Sequence, residues 1–381
     1  MKISILCCDL SDNAVGRAWL LAELVRPLGE VQIVGPATAG RWAPLAGPPP
    51  DGVTFTSVPA RRLPGFVADM RQLARLADGD VLYASKPRLA SAGVGYLLRL
   101  RAGRPLVLDV DDWEVGFFLR GGPWGTLGRA LNVGNPGGLP WTWLMERLHR
   151  VADAVTVASR FLQARFGGTL VPHVRDTDRW FPGCADPAEA RGRLGVERER
   201  LVMFLGTPRE YKGVDDLAAA VRRLGRRDLA LAVVGADPAG ATARRLRAIL
   251  PDVRLAGPIP FEDVPRYLAA ADLVAVPSRD TPDTRGQVPA KIFDAMALGR
   301  PIVATSVSMI PEILDGCGVL VPPGDVDALA AALGRLADAP EEAARLGAAA
   351  RRRGVERYSF TAARRDLLPL LERLPRRRVR A

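Results

Sequence analysis

Leu201-Val202-Met203-Phe204-Leu205-Gly206-Thr207-Pro208-Arg209-Glu210-Tyr211-Lys212-Gly213 is the stretch whose reading decides the fold of this 381-residue chain. Leu201 to Leu205 is a short apolar run closed by Gly206, which predicts a buried parallel strand rather than a helix. Val214 to Leu224 then carries apolar residues at helical spacing, with Asp215 and Asp216 in the first turn, as a helix start prefers. Arg209 and Lys212 therefore fall on a loop running from a strand's carboxyl end into a helix, the place where open parallel sheets bind ligands. Arginine grips two oxygens at once and lysine supplies a compact charge, so the pair suits a diphosphate. A solvated basic loop is the competing reading in a chain with 53 lysines and arginines. Against it, only four of these are lysines (Lys2, Lys86, Lys212 and Lys291), and two of the four lie in the candidate site.

The length favours two domains over one core. The net charge of +11 bears on partners: nucleotide phosphates, anionic lipid headgroups and nucleic acid all suit it. The arginines are scattered and no zinc-finger or homeodomain pattern appears, so no nucleic-acid partner is expected. The Arg-rich end, Arg373 to Arg380, reads as a basic tail able to touch an anionic membrane surface. Cys7, Cys8, Cys184 and Cys317 match no zinc-ligand spacing, and His149 and His173 are too few for a histidine-based metal site. No apolar run of about 18 residues exists to span a bilayer. Met1-Lys2 leads straight into a strand without a signal-peptide layout. The expectation is a cytoplasmic protein with reduced thiols, with a place at the inner face of the membrane left open.

From the amino end, Ile3 to Cys8 predicts a strand, Ala14 to about Leu28 a helix and Val31 to Val34 a second strand, which together form a βαβ unit. Gly16 and Arg17 sit near that helix start, where backbone and charge could meet an anion, but no G-x-G-x-x-G is present to support nicotinamide binding. Strands follow over Val53–Phe55, Val81–Tyr83 and Pro105–Val110, with helices over Phe66–Leu76 and within Lys86–Arg101. The last strand runs into Asp109-Val110-Asp111-Asp112-Trp113-Glu114. Carboxylates there suit sugar hydroxyls or a general base, Asp111 included; a solvated acidic turn is the alternative. Four of the seven tryptophans lie between Trp113 and Trp143, in a segment from Phe117 that reads as loop-rich. They fit sugar stacking, a membrane interface or the core of an insertion equally well. A helix over Leu144–Val151, a strand over Ala154–Ala158, a helix capped by Ser159 and a strand over Thr169–Val171 complete the first half.

Linker composition around residues 172–198 separates that half from a second alternation. Its strands are expected at Leu229–Val234, Leu273–Val276, Ile302–Ala304 and Gly318–Val321, with helices at Ala241–Ile249, Phe261–Ala270, Pro289–Leu298 and from Val326 onward. The pattern implies two doubly wound α/β layers. The expected divisions are an amino-terminal Rossmann-like domain over 1–172, a linker over 173–198, a second Rossmann-like domain over 199–355, and a terminal helix and tail over 356–381.

The second half resembles the retaining GT-B glycosyltransferases of family four (glycosyl transferases group 1). The likeness lies in FLGTPREYKG (Phe204–Gly213), ADLVAVPS (Ala271–Ser278), FDAMALGRPIVAT (Phe293–Thr305), Pro311-Glu312 and VLVPPGD (Val319–Asp325), in that order. In the first half Asn13–Arg17, Leu108–Glu114 and Thr177–Pro182 are similar to the family as well. The resemblance implies two Rossmann-like domains facing a central cleft and a metal-independent enzyme that needs no cofactor beyond its donor substrate. It implies transfer of a sugar, with retention, from a nucleotide-diphosphate sugar to a hydroxyl of a glycan, lipid-linked intermediate or small metabolite. Arg209 and Lys212 would hold the diphosphate and, with Asp111, form the catalytic group. Gly206, Gly257, Ile259, Gln287, Val288, Ala290, Lys291 and Asp294 would face the donor; Gly16, Arg17, Asp109, Asp112, Trp113 and His173 would lie on the acceptor side. Asp294 stands where the family has a ribose-gripping Glu. The family's other Glu, eight residues earlier, is Gly286 here, with Asp280, Asp283 or Lys291 as substitutes. A nucleotide-sugar epimerase and a catalytically silent nucleotide-sugar-binding protein are the alternatives.

Overall fold

The computed structural model describes residues 1–45, 47, 49, 52–119 and 122–375, with the side chains of 122–124 and 283 outside that description. The chain divides into two compact units, one of residues 1–172 with 363–381, the other of residues 173–362.

In the first unit, β1 (Ile3–Leu6), β2 (Val31–Ala37), β3 (Val53–Pro59), β4 (Val81–Ser85), β5 (Leu106–Val110), β6 (Ala154–Val157) and β7 (Thr169–Leu170) form a seven-stranded sheet in the order β3-β2-β1-β4-β5-β6-β7. Every pairing is parallel, with Ile3 beside both Val31 and Val81. The order reverses direction between β1 and β4, so the loops leaving their carboxyl ends stand at a topological switch point. β4 and β5 are buried along their whole length, as strands covered on both faces must be. β1 stops at Leu6, short of the expected Cys8; all four cysteines are unpaired, and burial pushes the Cys7 thiol up to about 12.

The segment expected to be loop-rich contains helix Gly122–Ala130 and the first half of helix Leu139–Arg147. The latter starts five residues before the helix expected from Leu144, is begun by Pro140 in its first turn and gives way to a 3-10 turn at His149–Val151. Glycine and proline masked the helical spacing. Trp113 and Trp141 pack against the first unit's core, and the Trp141 indole donates to Val133 O at 2.8 Å. Trp143 is exposed beneath the Arg147 guanidinium, and the Trp124 side chain lies outside the described residues. Helix Phe360–Glu372 crosses the division between units: from Ala363 it belongs with the first, where Arg364 donates to Glu23 O and Leu24 O. The basic tail beyond residue 375 also lies outside the described residues.

In the second unit, β8 (Arg200–Leu205), β9 (Leu229–Val234), β10 (Arg254–Ala256), β11 (Leu273–Val276), β12 (Ile302–Thr305) and β13 (Val319–Val321) form a six-stranded sheet in the order β10-β9-β8-β11-β12-β13. Its pairings are parallel throughout, and the order turns between β8 and β11. Helix Val214–Leu224 lays Val214, Leu217, Ala218 and Val221 on the core, against Leu333 and Leu336 of helix Val326–Asp338. Each such leucine contributes roughly 1.5–3 kcal/mol relative to a solvent-exposed one. The segment with linker composition is partly ordered: helix Ala188–Leu194 packs on helix Val264–Ala270.

Candidate functional site

Two groups of predicted residues gather at the carboxyl ends of strands, one in each unit. In the second unit β8 ends at Leu205 and the chain turns at Gly206, whose φ of 114° suits glycine. Thr207 to Arg209 form the loop, and a single 3-10 turn, Glu210–Lys212, joins it to the helix at Gly213. Gly213 has φ 65°, and a Cβ there would lie 1.9 Å from Pro277 O, so only glycine lets the loop pass under the end of β11. The loop is tied to β11's far side by Arg279 N donating to Tyr211 O at 2.9 Å, while the Arg279 guanidinium pairs with Asp216 at 2.6 Å. Arg209 is exposed and Lys212 half-buried, so both charges are offered from the loop rather than sunk into the core.

Helix Ala290–Ala297 presents Lys291 to the same turn. The Lys291 side chain is buried, and its Nζ lies 3.3 Å from the centre of the Phe204 ring and 3.7 Å from where a Gly206 Cβ would stand. Among the described residues no acceptor hydrogen-bonds this nitrogen. Burial first, then the nearby Lys212 charge, hold it well below the ordinary lysine value; Asp294 pulls the other way. One turn along the helix, Asp294 is buried and ion-paired with Arg175 Nε, and burial raises its pKa against the pull of that arginine. The Arg175 guanidinium lies against both Trp180 and Phe261, at 5.6 Å and 5.5 Å from rings that themselves pack 5.2 Å apart, and Nη1 donates to Val174 O at 2.7 Å.

The other residues expected on the donor side lie in the same unit. Gly257 and Ile259, after β10, are half-buried; Gln287 is half-buried with its N–H on Thr284 O; Val288 is buried; and Ala290 opens the helix behind Pro289. The loop expected from Arg279 to Gln287 holds a short helix, Pro282–Arg285, fastened by reciprocal Thr281 and Thr284 capping bonds. Asp280 points outward and pairs with Arg285 at 3.5 Å; the Asp283 side chain lies outside the described residues.

In the first unit, Lys86 follows β4 with φ 72°, a left-handed conformation that costs a non-glycine residue roughly 1–2 kcal/mol. Its N–H is held by Asp109 O at 2.9 Å, and its ammonium meets Asp111, Asp112 and Glu114 at 2.8, 2.7 and 2.9 Å. The carboxylate oxygens lie within 4.8 Å of one another, with the lysine nitrogen as the cation among them. Burial raises the Asp111 carboxyl to about 7 against the pull of Lys86, whereas for Glu114 burial is outweighed by Arg88 and Lys86, which hold it at about 2. Arg17 and Asp109 form a fully buried pair at 2.8 Å; Arg17 also donates to Val171 O and Pro172 O, and Thr156 donates to Asp109. Arg17 is thus committed to the protein rather than to an incoming anion. Gly16 faces open space apart from Trp42 at 3.9 Å. Trp113 packs against Phe161 under the Arg165 guanidinium; His173, expected with this group, is half-buried and is the first residue of the second unit.

The family model described as glycosyl transferases group 1 matches residues 199–339, and a glycosyl transferase 4-like domain matches residues 14–177. The GDP-mannose-dependent alpha-(1-6)-phosphatidylinositol monomannoside mannosyltransferase of Mycolicibacterium smegmatis is 33% identical over 288 residues, 70% of each chain. The chain belongs to the group 1 glycosyltransferases. A D-inositol 3-phosphate glycosyltransferase of Saccharomonospora viridis is 33% identical over 56% of this chain and 50% of its own. The Anabaena protein HepE, solved in complex with UDP and glucose, matches with TM-score 0.74 over 98% of this chain and 99% of its own at 19% identity, a likeness of fold. This glycosyltransferase is therefore a GT-B enzyme that moves a sugar from a nucleotide-sugar donor to an acceptor. The epimerase and silent-partner alternatives are not favoured by these relatives.

Sequence reading did not single out Arg175 or Arg88. A lone arginine in a segment of linker composition gives no local signal, and its partner Asp294 is 119 positions away. The glycosyltransferase's Lys86 was visible only as a rare lysine. Among the described residues no helix is long and apolar enough to cross a membrane.

Proposed function

We propose that this glycosyltransferase works with retention and without a metal ion, on a donor whose diphosphate is held by Arg209, Lys212 and Lys291. The observation that carries the reading is the gathering of Gly206, Lys212 and the buried Lys291 at the end of β8, with Arg209 on the same loop. Three cations there can offset the charge that develops on the departing diphosphate, the part a metal plays elsewhere. In the step itself the bond from the sugar's anomeric carbon to the phosphate oxygen breaks, and a bond to the acceptor oxygen forms on the same face. The acceptor's proton passes to the departing phosphate oxygen. Engagement of Asp111, Asp112 and Glu114 with Lys86 supports that route, since each carboxylate already has a cationic partner.

GDP-mannose is the first donor to try, because it is named for the mycobacterial relative, and a lipid-linked inositol or glycan hydroxyl is the first acceptor class. Exposed Leu127, Leu131, Val133 and Trp143, with Arg147 beside Trp143, favour a weak peripheral contact of the first unit with an anionic bilayer. The deciding experiment is calorimetric titration with GDP-mannose, UDP-glucose, ADP-glucose and dTDP-glucose. Proton NMR then follows the anomeric configuration of the product in buffer containing EDTA. Binding of one donor and a retained configuration support the proposal. Inversion, or loss of turnover in EDTA, overturns it, as does the absence of both binding and hydrolysis with every donor.

A further inference from the structure

Lys291 is an unusual place for a charge. Its side chain is more than nine-tenths buried, its Nζ rests on the Phe204 ring, and no acceptor among the described residues hydrogen-bonds it. The nearest titratable groups do not offset this. Lys212, from the turn after β8, is a like charge, and Asp294, on Lys291's own helix, is taken by Arg175. Strands β11 and β12, packed on the same helix, carry no titratable side chain. Helix Val264–Ala270 brings Arg266, which is paired with Asp263 and Glu189, and buried Tyr267. Helix Pro340–Arg357 brings Arg351, whose guanidinium sits at the opposite end of the Lys291 helix on Ala297 O.

We propose that Lys291 is a proton-uptake site: it rests as a neutral amine beside Gly206 and becomes an ammonium when a nucleotide sugar's diphosphate arrives. The inference rests on the donor reading above and adds a coupling that the reading does not contain. A buried amine with a like charge beside it is disfavoured in its charged form. A bound diphosphate brings two negative charges to the mouth of the same turn and reverses that balance. The proton comes from solvent and is returned when the diphosphate leaves, so no other reactant is needed. The device keeps an unpaired charge out of the core of the empty protein while supplying a full one to the bound donor.

The test is isothermal titration of the full chain with GDP-mannose and UDP-glucose at about pH 8, in phosphate and in Tris, whose ionisation enthalpies differ. The diester diphosphate of these probes does not titrate near neutrality, so protons taken up report on the protein. The expected result is a buffer-dependent enthalpy corresponding to uptake of up to about one proton, with affinity falling up to about tenfold per pH unit between about pH 7 and pH 9. Lys291→Met is expected to bind more weakly with no pH slope, and Arg209→Ala to bind more weakly with the slope intact. If Lys291→Met does not fold, Lys291→Arg, which keeps its charge at every pH in the range, is expected to remove the slope. Binding without proton uptake overturns the proposal and leaves the donor reading standing; a slope that survives in the Lys291 variants also overturns it. Binding of neither nucleotide sugar overturns both.

Discussion

Arg175 Nε donates to Asp294, joining the segment that opens the second unit to the helix that carries Lys291. Both side chains are buried, and the guanidinium also lies against the packed rings of Trp180 and Phe261. The pair therefore fixes the helix beside the Gly206 turn at a point where neither charge has water to fall back on. Breaking such a pair from one side leaves an uncompensated buried charge, worth about 3–5 kcal/mol. Arg175→Met is expected to lower unfolding stability by that amount, and Arg175→Met combined with Asp294→Asn to recover more than half of it, read from urea denaturation. Equal losses in the single and double variants would show that the aromatic packing of Arg175, not its charge, holds the helix.

Arg209 and Lys212 make the opposite kind of contribution. Arg209 is exposed, so its removal should leave stability within about 0.5 kcal/mol of wild type. In turnover, Arg209→Ala and Lys212→Ala should each lower kcat/KM by about 10²–10³-fold, the usual effect of losing one group that meets developing charge. Most of that loss should appear in kcat. A change confined to KM would mean that the two cations hold donor and transition state equally.

Gly213→Ala tests the loop itself. The added Cβ would stand 1.9 Å from Pro277 O at φ 65°, so Tyr211 or the end of β11 must move. Gly225, also left-handed at φ 60°, meets nothing within 4 Å and serves as the control, since Gly225→Ala carries only the backbone penalty. The expected contrast is a donor KM raised at least about tenfold in Gly213→Ala alone, with both variants losing about 1–2 kcal/mol from the left-handed conformation. Equal KM values would show that the loop absorbs the clash without disturbing donor binding.

Which parts of this were legible in the sequence follows from how local their causes are. Strands β9 and β11 and helices Phe66–Leu76 and Ala241–Ile249 lie where apolar runs and helical spacing placed them, because burial on both faces or one face writes itself into consecutive residues. The turn at Gly206–Gly213 was legible for the same reason, with its glycines and cations adjacent. Helix Gly122–Ala130 and the first half of helix Leu139–Arg147 were not, because glycine and proline there read as loop. Only the end of the second, from Leu144, was expected as helix, and packing of Trp141 and Met145 sustains the whole of it. The ion pairs lay beyond reach for another reason. Arg17 finds Asp109 at a separation of 92 residues, and Arg175 finds Asp294 at 119. Composition told of many arginines; only the folded chain says which are spent inside it.

Lys86 is such a case. With its ammonium on three carboxylates, Lys86→Met would leave Asp111, Asp112 and Glu114 facing one another, with Arg88 on Glu114 alone. The expected loss is about 3–5 kcal/mol in denaturant unfolding, with part regained in Lys86→Met combined with Asp111→Asn, which removes one of the repelling charges. A loss below about 1 kcal/mol would show that water reaches the cluster and screens it.

Glu146 gives the sharpest dependence on pH. It is buried, its carboxylate accepts the Val115 N–H at 2.9 Å, and Arg165 approaches only to 3.9 Å. Burial raises its carboxyl from 4.5 to about 7, against the smaller pull of the Val115 N–H and Arg165. A folded-state value above the unfolded one means that the folded chain holds the proton more tightly. The associated stability is fully present below about pH 4.5 and is lost as pH rises through about 7. Glu146→Gln keeps an acceptor for Val115 and removes the titration. At about pH 8 it should therefore be more stable than wild type by about 1–3 kcal/mol, and at about pH 5 the difference should shrink toward zero. Urea unfolding at the two pH values measures this directly. A difference that does not change with pH would mean that Glu146 titrates alike in the folded and unfolded chain, and that its burial carries no charge penalty.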